Sequence, residues 1–545
     1  GNVRQKLADA RTAAETNPTY QTNVDALVEV MPPDLGVADV VPTVGATWIP
    51  AQDHSQFLTE QLSTHATVTY NPVDGWKVRG ADQGAAATQI YGSRDTPAGS
   101  IFQDMLNSEP IMVDTLDDDG KVVIDPKATE IAKGHADRLA ADFAAWVFTD
   151  PERTKRLLVD YNERFNSLVP RSYEKAGDAL TLPGLSSQFT LHPHQRAAIA
   201  RMIAEPTTGL FHEVGAGKTL EMVCGVMEQK RLGLVNKPLV VVPNHMLTQF
   251  QREWLQAYPS AHILVAGTEH LNKANRAQFM AQATTGRWDA IICTQSAFKK
   301  LAVRPETESA FERRQLEQLE RWIETSTDQL SVRGAEIRLQ RLQSQLERDA
   351  DNRQARTDDG ITFEDLGIDY LVVDEAHGYK NLSAPTHTVG IIHSGRTEKC
   401  LDLEMKLDHL RRTHGDRVAT FATATPIANT LGEMWVMTKY LRPDLLETTG
   451  TLNFDDWAKT FTAMDSRVEV NAAGAMRVKQ RISRFQNLPE LKTMWSTFAD
   501  VKRRDELGLK LPTIAPDPTG ANRPRVIVTD IGPAMGEFNA SLIKR

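Results

Sequence analysis

Along the first 185 residues, apolar positions recur at helical and at alternating spacings. Between Ala128 and Asp150, the residues Ile131, Ala136, Leu139, Phe143 and Trp146 lie three to five positions apart, which predicts an amphipathic helix turning these side chains to a core. Upstream, VTYNPVDGWKVRG alternates around a turn at Asn71 to Gly75 and predicts a β-hairpin. From about residue 186 the pattern changes to short Val/Ile/Leu runs between helical stretches: LVVVP at 239 to 243, HILVAG at 262 to 267, AIICT at 290 to 294, YLVVD at 370 to 374 and VATFAT at 418 to 423. Strands apolar on both faces and alternating with helices fit a parallel sheet covered on both sides, so the expected class is α/β, preceded by a mixed α+β accessory domain.

A charged stretch with almost no Gly or Pro interrupts this pattern between Val303 and Thr357. Leu316, Leu319, Ile323, Leu330, Ile337, Leu342 and Leu346 recur near helical spacing there, which predicts a helical hairpin turning near Ser331 to Gly334. It reads as a solvated antiparallel coiled coil, or as an arm that touches DNA or a partner.

Composition narrows the field. Hydrophobic residues make up 41% and charged residues 24% of the 545, the usage of a soluble globular chain of several domains. The net charge of −9 means that any contact with nucleic-acid phosphate must come from a local basic patch. Cys224, Cys293 and Cys400 are far apart and lack C-x-x-C spacing, which supports neither a disulfide framework nor a zinc site. No apolar run approaches the ~20 residues of a membrane span, and the N-terminus has no apolar signal core. A cytoplasmic protein with no membrane partner is expected.

Candidate chemistry begins at Leu210-Phe-His-Glu-Val-Gly-Ala-Gly-Lys-Thr-Leu220, between a short apolar run and a helical pattern. Gly215 and Gly217 free the backbone to wrap a triphosphate, Lys218 supplies a cation, and the Thr219 hydroxyl can ligate Mg²⁺ at a helix N-terminus. Downstream, Leu371-Val-Val-Asp-Glu-Ala-His377 puts two carboxylates at the C-terminal end of a strand. There Asp374 can hold the Mg²⁺ shell, and Glu375 can orient and deprotonate the attacking water. The expected cofactors are therefore ATP and Mg²⁺, with Lys218, Asp374 and Glu375 carrying the chemistry.

In ordered motifs over residues 186 to 545, the chain resembles superfamily-two DNA helicases and translocases, in particular the Swi/Snf-type ATPases. Leu191-His-Pro-His-Gln195 looks like the family's Q-type motif, which implies that Gln195 meets the adenine while His192 and His194 are structural neighbours. HEVGAGKT resembles motif I, which implies ATP-binding roles for Glu213, Gly215, Ala216, Gly217, Lys218 and Thr219. VVPNHMLTQFQREW and CTQSAF resemble motifs Ia and Ib, which makes Pro243, Asn244, Thr294 and Gln295 candidates for contacts to the DNA backbone. DEAH at 374 to 377 resembles motif II, and Thr423-Ala-Thr-Pro426 with Ile427-Ala-Asn429 resembles motif III. His377, Thr423 and Thr425 would then couple nucleotide state to the DNA track. Ala424 stands where Swi/Snf proteins usually carry Gly.

The resemblance implies a RecA-like first lobe over 186–434 with the insertion at 303–357, a helical protrusion over 435–510, and a linker with the start of a second RecA-like lobe over 511–545, after an accessory domain at 1–185. Arg525-Val-Ile-Val-Thr-Asp-Ile looks like the second lobe's first strand. Motifs IV to VI, with the family's arginine finger, are expected beyond Arg545, so this piece should hydrolyse ATP weakly by itself.

NVDALVEVMPPDL and GATWIP, taken with HEVGAGKT and VVPNHML, resemble large helicase proteins of phages and conjugative elements, some of which join an N6-adenine methyltransferase and act in antirestriction or defence. A methyltransferase or nuclease domain or subunit is therefore an expected partner beside duplex DNA. Asn17-Pro-Thr-Tyr20 resembles the N-P-P-Y target-base motif only superficially, since Thr19 breaks it and Asn-Pro commonly marks a turn. Two function classes stay open: an ATP-driven DNA translocase, and a nucleotide-gated DNA-binding or assembly module of a restriction or antirestriction complex.

Overall fold

The computed structural model describes residues 2–71, 75–116, 122–272, 275–325, 362–382, 397–428, 430–470, 476–507 and 532–543. Its strands are β1 (Thr67–Asn71), β2 (Gly75–Arg79), β3 (Asp114–Leu116), β4 (Val122–Ile124), β5 (Thr207–His212), β6 (Pro238–Val242), β7 (Ile263–Ala266), β8 (Ala290–Thr294), β9 (Tyr370–Asp374), β10 (Ala419–Ala422), β11 (Thr462–Val470), β12 (Met476–Phe485) and β13 (Ala499–Lys502). Seven of these form one sheet in the order β13-β5-β10-β9-β6-β8-β7, and every pairing in it is parallel.

Period-two alternation sends the side chains of each central strand to opposite faces, and each face builds its own core. Leu210, Val240, Val242, Ile292, Tyr370 and Val372 pack with the helices Pro193–Ala204, Lys218–Arg231 and Leu247–Ala257. Phe211, Leu239, Val241, Ile291, Leu371, Val373 and Phe421 pack on the other face, in a core that also takes in Trp48, Phe57, Phe102, Phe143 and Trp146 of the N-terminal region. The accessory region and the sheet thus share one apolar core. Polar contacts reinforce the join: the Tyr70 hydroxyl donates to Asp456 at 3.0 Å, and the Thr47 hydroxyl donates to the Thr449 carbonyl at 3.3 Å.

The five expected strand runs correspond to β6, β7, β8, β9 and β10, and the expected hairpin to β1 and β2. The helix expected over 128–150 runs Pro126–Val147, with Ala136, Leu139, Phe143 and Trp146 buried. Ile131 does not join them and is 52% exposed. Ala132 takes the inner position instead: it is one residue further along, and one residue is a rotation of about 100°, enough to leave Ile131 beside the buried stripe.

The stretch 435–510, expected to be a helical protrusion, holds the helices Gly432–Leu441, Pro443–Thr448, Phe454–Phe461 and Leu488–Ser496, but also the β11–β12 hairpin and β13. Among the described residues β13 is an edge strand of the main sheet, paired with β5 alone. An edge strand is half solvated, so its residues Asp500 and Lys502 lack the apolar run that marks a central strand. Of the expected insertion, the helix Pro305–Thr325 is described and residues 326–361 lie outside the described residues. The run Arg525 to Ile531 and Asn429 also lie outside them. Asn17-Pro18-Thr19-Tyr20 is a turn: Pro18–Tyr20 is a single 3-10 turn, capped by Asn17 accepting from the Thr19 N–H.

Candidate functional site

Parallel pairing brings the candidate residues together. β5, β10 and β9 are neighbours, with Leu210, Ala422 and Asp374 at one level of the sheet. The loops after β5, β9 and β10 therefore open at the same C-terminal edge, where open α/β sheets bind ligands. These loops carry Glu213 to Thr219, Asp374 to His377, and Thr423 to Thr425.

In the first loop Gly215 and Gly217 adopt φ of 89° and 84°, conformations that L side chains rarely adopt. A Cβ on Gly217 would also lie 2.3 Å from the Gln195 amide nitrogen. The helix Lys218–Arg231 starts directly after it, and the N–H groups of Leu220 and Glu221 already bond the Gly217 carbonyl. The N–H groups of Lys218 and Thr219 stand in the first turn, where no intrahelical acceptor exists, so this end is suited to an anion. Lys218 Nζ donates to the carbonyls of His212 at 2.9 Å and Glu213 at 3.3 Å, folding its charge back over the loop. Ala216 is buried, and its carbonyl accepts from the Gln195 amide at 3.2 Å and lies 3.0 Å from His194 Nε2.

Gln195, expected at the adenine, is itself buried and braces the loop at both ends of its amide. Its nitrogen reaches the loop carbonyl, and its oxygen accepts from the His192 N–H at 2.9 Å. An adenine contact would have to exchange one of these bonds.

Asp374 is buried, and its carboxylate accepts from the Glu375 N–H at 2.9 Å. Burial, and after it the neighbouring Glu375 charge, raises the Asp374 carboxyl to about 6, only partly relieved by the Glu375 N–H and by Lys218. A buried carboxylate next to a second one fits a hard divalent cation, and the Asp374 carboxylate with the Thr219 hydroxyl is an oxygen donor set of the kind Mg²⁺ takes. Glu375 adopts φ 50°, a left-handed conformation uncommon for a non-glycine residue and frequent at functional sites. His377 Nδ1 lies 3.0 Å from both the Glu375 carboxylate and the Thr423 hydroxyl. The same hydroxyl accepts from the Thr425 N–H at 3.2 Å. Thr423 is fully buried while Thr425 is exposed, so this chain runs from the sheet to the surface.

The remaining candidates follow β6, which adjoins β9 in the sheet, and β8, which adjoins β6. Pro243, Asn244 and Gln295 line one cleft of about 290 Å³ together with His245, Ser296, Lys299 and Lys399. Asn244 donates to the Ser296 hydroxyl at 2.7 Å, and Lys399 donates to the Gln295 side-chain oxygen at 2.9 Å. Gln295 in turn donates to the Asp374 carbonyl at 3.4 Å, which joins this cleft to the carboxylate loop. Thr294 does not line the cleft. It is buried, and its hydroxyl caps the helix Gln295–Lys299 by accepting from the Ala297 N–H at 3.1 Å. Lys299, Lys399 and His245 bring basic side chains to this cleft, and Lys299 also pairs with Glu398 at 3.1 Å. Lys399 escaped sequence reasoning because a cation 104 positions away from Gln295 carries no local signal.

Behind the glycine loop lies a second group that the sequence did not announce. His212 is completely buried between Glu221, at 3.0 Å from Nδ1, and Asp500, at 3.2 Å from Nε2. Burial alone would lower its pKa, but the two carboxylates together outweigh it and hold the imidazolium to about 9.

A family model described as "Probable helicase domain" matches residues 202–503, more than half of the chain, and the chain belongs to that family. A second model, described as a domain of unknown function, matches residues 43–167. The chain is also 22% identical over 429 residues to "Defense against restriction protein B" of Escherichia phage P1, across 70% of this chain and 19% of that protein. It thus spans about a fifth of that relative's length. Among solved structures, the Sulfolobus solfataricus SWI2/SNF2 ATPase core matches at 14% identity and a TM-score of 0.32 in its complex with double-stranded DNA, covering 59% of this chain and 46% of that one. The core domain without DNA matches at 15% identity and a TM-score of 0.33, covering 63% of this chain and 50% of that one. Among the described residues no helix is long and apolar enough to cross a membrane, and the three cysteines are buried and free.

Proposed function

We propose that this chain is the nucleotide-binding part of an ATP-driven motor that moves on duplex DNA, Swi/Snf-like in branch and serving a phage, plasmid, defence or antirestriction system. The observation that carries this reading is the meeting of the Lys218 loop, the Asp374–Glu375 pair and Thr423 at the ends of three neighbouring strands. Helicase-family membership and an antirestriction relative support the setting.

In this reading the N–H groups around Gly217 and the Lys218 ammonium bind the triphosphate, with Lys218 leaving the His212 and Glu213 carbonyls to do so. Thr219 and Asp374 would hold Mg²⁺, which when bound supplies charge neutralisation across the phosphate oxygens. Glu375 orients the attacking water and accepts its proton. His377, through Thr423 and Thr425, reports the state of that carboxylate toward the surface. Pro243, Asn244 and Gln295, with Lys299 and Lys399, contact the DNA backbone; such contacts position the protein without reading sequence.

In the same reading residues 1–185 are the accessory unit, 186–434 with the added strand β13 the motor's first lobe, 435–510 otherwise the protrusion, and 511–545 the linker toward a second lobe. A cytoplasmic location and a methyltransferase or nuclease partner belong to the same proposal.

The test is ATP turnover of the intact protein with and without duplex DNA, for wild type, Lys218→Ala and Glu375→Gln. Turnover stimulated by DNA in the wild type and lost in both variants is expected. Variants that turn over normally would sink the motor, and nucleotide-dependent DNA binding without any turnover would favour the nucleotide-gated module instead.

A further inference from the structure

The buried ionic group behind the glycine loop ties three elements whose relative positions define the nucleotide site. His212 is the last residue of β5, and its main-chain oxygen accepts from Lys218 Nζ. Its imidazole spans Glu221, three residues beyond Lys218 on the helix that opens the site, and Asp500 on β13. The backbone repeats the link, since the Glu213 N–H donates to the Lys502 carbonyl at 3.0 Å. A stacked pair, Phe211 on Trp495 at 5.3 Å, braces the approach to β13.

Among the described residues β13 is one of the two edge strands of the sheet and the one beside β5, so it can shift while disturbing a single ladder, the one that carries His212. Any such shift must pull on His212. An ion pair held away from water resists separation far more than a surface pair.

We propose that His212 and Asp500 form a positioning pair through which β13 sets the glycine loop, so that displacement of this edge strand is felt as a change in nucleotide affinity at Lys218. The inference rests on the reading of Lys218 as a nucleotide ligand. Glu221 is the fixed end of the pair, holding Nδ1 while Nε2 follows the strand. The protonated ring suits the arrangement, because only the imidazolium form of His carries an N–H on both nitrogens, one toward each carboxylate. The raised affinity of His212 for its proton agrees with that geometry.

The experiment measures the affinity of a fluorescent ATP analogue for the whole chain in wild type, Asp500→Asn, His212→Asn, the double variant, Asp500→Glu and Lys218→Ala. Val501→Ala, on the same strand but 45% exposed, serves as a control. Each single variant of the pair is expected to weaken binding about 10-fold, within the range of site couplings, and the double variant no more than the weaker single one. Asp500→Glu, which keeps the charge, should retain most of the affinity, and Val501→Ala should bind like wild type.

Binding by Asp500→Asn within about twofold of wild type, or single effects that simply add in the double variant, would overturn the pair. Equal losses in Val501→Ala and Asp500→Asn would also overturn it, since the strand as a whole would then be responsible. A wild type that does not bind the analogue, or a Lys218→Ala variant that binds it equally well, sinks the proposed nucleotide site and this inference with it. Normal wild-type binding with an unaffected Asp500→Asn sinks the pair alone.

Discussion

Two buried histidines show how differently the two halves of this molecule are held. In the N-terminal region His54 is fully buried among rings, stacked on Phe143 at 5.0 Å and flanked by Trp76 at 5.2 Å. Its Nδ1 lies 3.0 Å from the Pro50 carbonyl, and its Nε2 accepts from the Gly45 N–H at 3.0 Å, which fixes a neutral tautomer. Burial pushes its pKa down to about 4. In the sheet lobe His212 is equally buried, but two carboxylates keep it charged. The first environment is a packed aromatic interior with one stable arrangement. The second is an ionic junction between three elements, β5, the helix Lys218–Arg231 and β13. Rigidity comes from rings in one half, and connectivity from charges in the other.

Two substitutions should separate these halves most widely. Glu375→Gln is expected to lower DNA-stimulated ATP turnover by about 100-fold or more, the scale of a lost general base, with little change in melting temperature. Phe143→Ala is expected to destabilise the fold by about 3–5 kcal/mol, the cost of an emptied aromatic site, measured by chemical denaturation. Because the core of the N-terminal region is continuous with one face of the sheet, that loss should be cooperative with the sheet lobe. A separate early transition confined to the N-terminal region would break the comparison.

The histidines give opposite pH limbs. His54 has a folded pKa below its unfolded 6.5, so its neutral form is favoured on folding. Stability is complete above about 6.5 and lost as pH falls toward about 4, by something on the order of 3 kcal/mol. His212 has a folded pKa above 6.5, so its contribution is complete below about 6.5 and lost as pH rises through about 9. Denaturation midpoints across pH should therefore fall on both sides. His54→Gln should flatten only the acid limb, and His212→Asn only the alkaline limb. A single variant that flattened both would show that the two sites are not independent.

Much of this was legible in the sequence, and the reason is physical. Central parallel strands are apolar on both faces, so β6, β8, β9 and β10 stand out as runs, and a glycine loop before a helix has few alternatives. What could not be read was anything that depends on an edge or on distance along the chain. β13 inverts the usual pattern, with Asp500 buried and Val501 45% exposed, and that hid Asp500. Glu221 sat unnoticed three residues past Lys218, although a charged residue on the inward side of a buried helix is a usable signal for a partner. The motif points Gln195 at a nucleotide base, and the bracing its amide gives the loop is visible only in the fold. Thr294 is a DNA-backbone candidate by its motif, but a Thr directly ahead of a helix also suits its cap, and the fold buries it in that role.

The smallest effect belongs to the cleft beside β6 and β8, and it tests whether the charged half extends that far. Lys399 there donates to Gln295, whose amide reaches the Asp374 carbonyl, and its ammonium also lies 4.2 Å from the centre of the Tyr379 ring. Removing one phosphate-contacting cation lowers the slope of log affinity against log salt by about 1 and weakens binding evenly across sequences. Lys399→Ala should therefore cost a few-fold in duplex DNA affinity at low salt, with the difference shrinking as salt rises. Asn244→Ala, which removes only a neutral contact, should leave the slope unchanged. If Lys399→Ala altered ATP turnover but not the salt slope, the lysine would be acting through Gln295 on the carboxylate loop, and the basic cleft would be part of the nucleotide site's support.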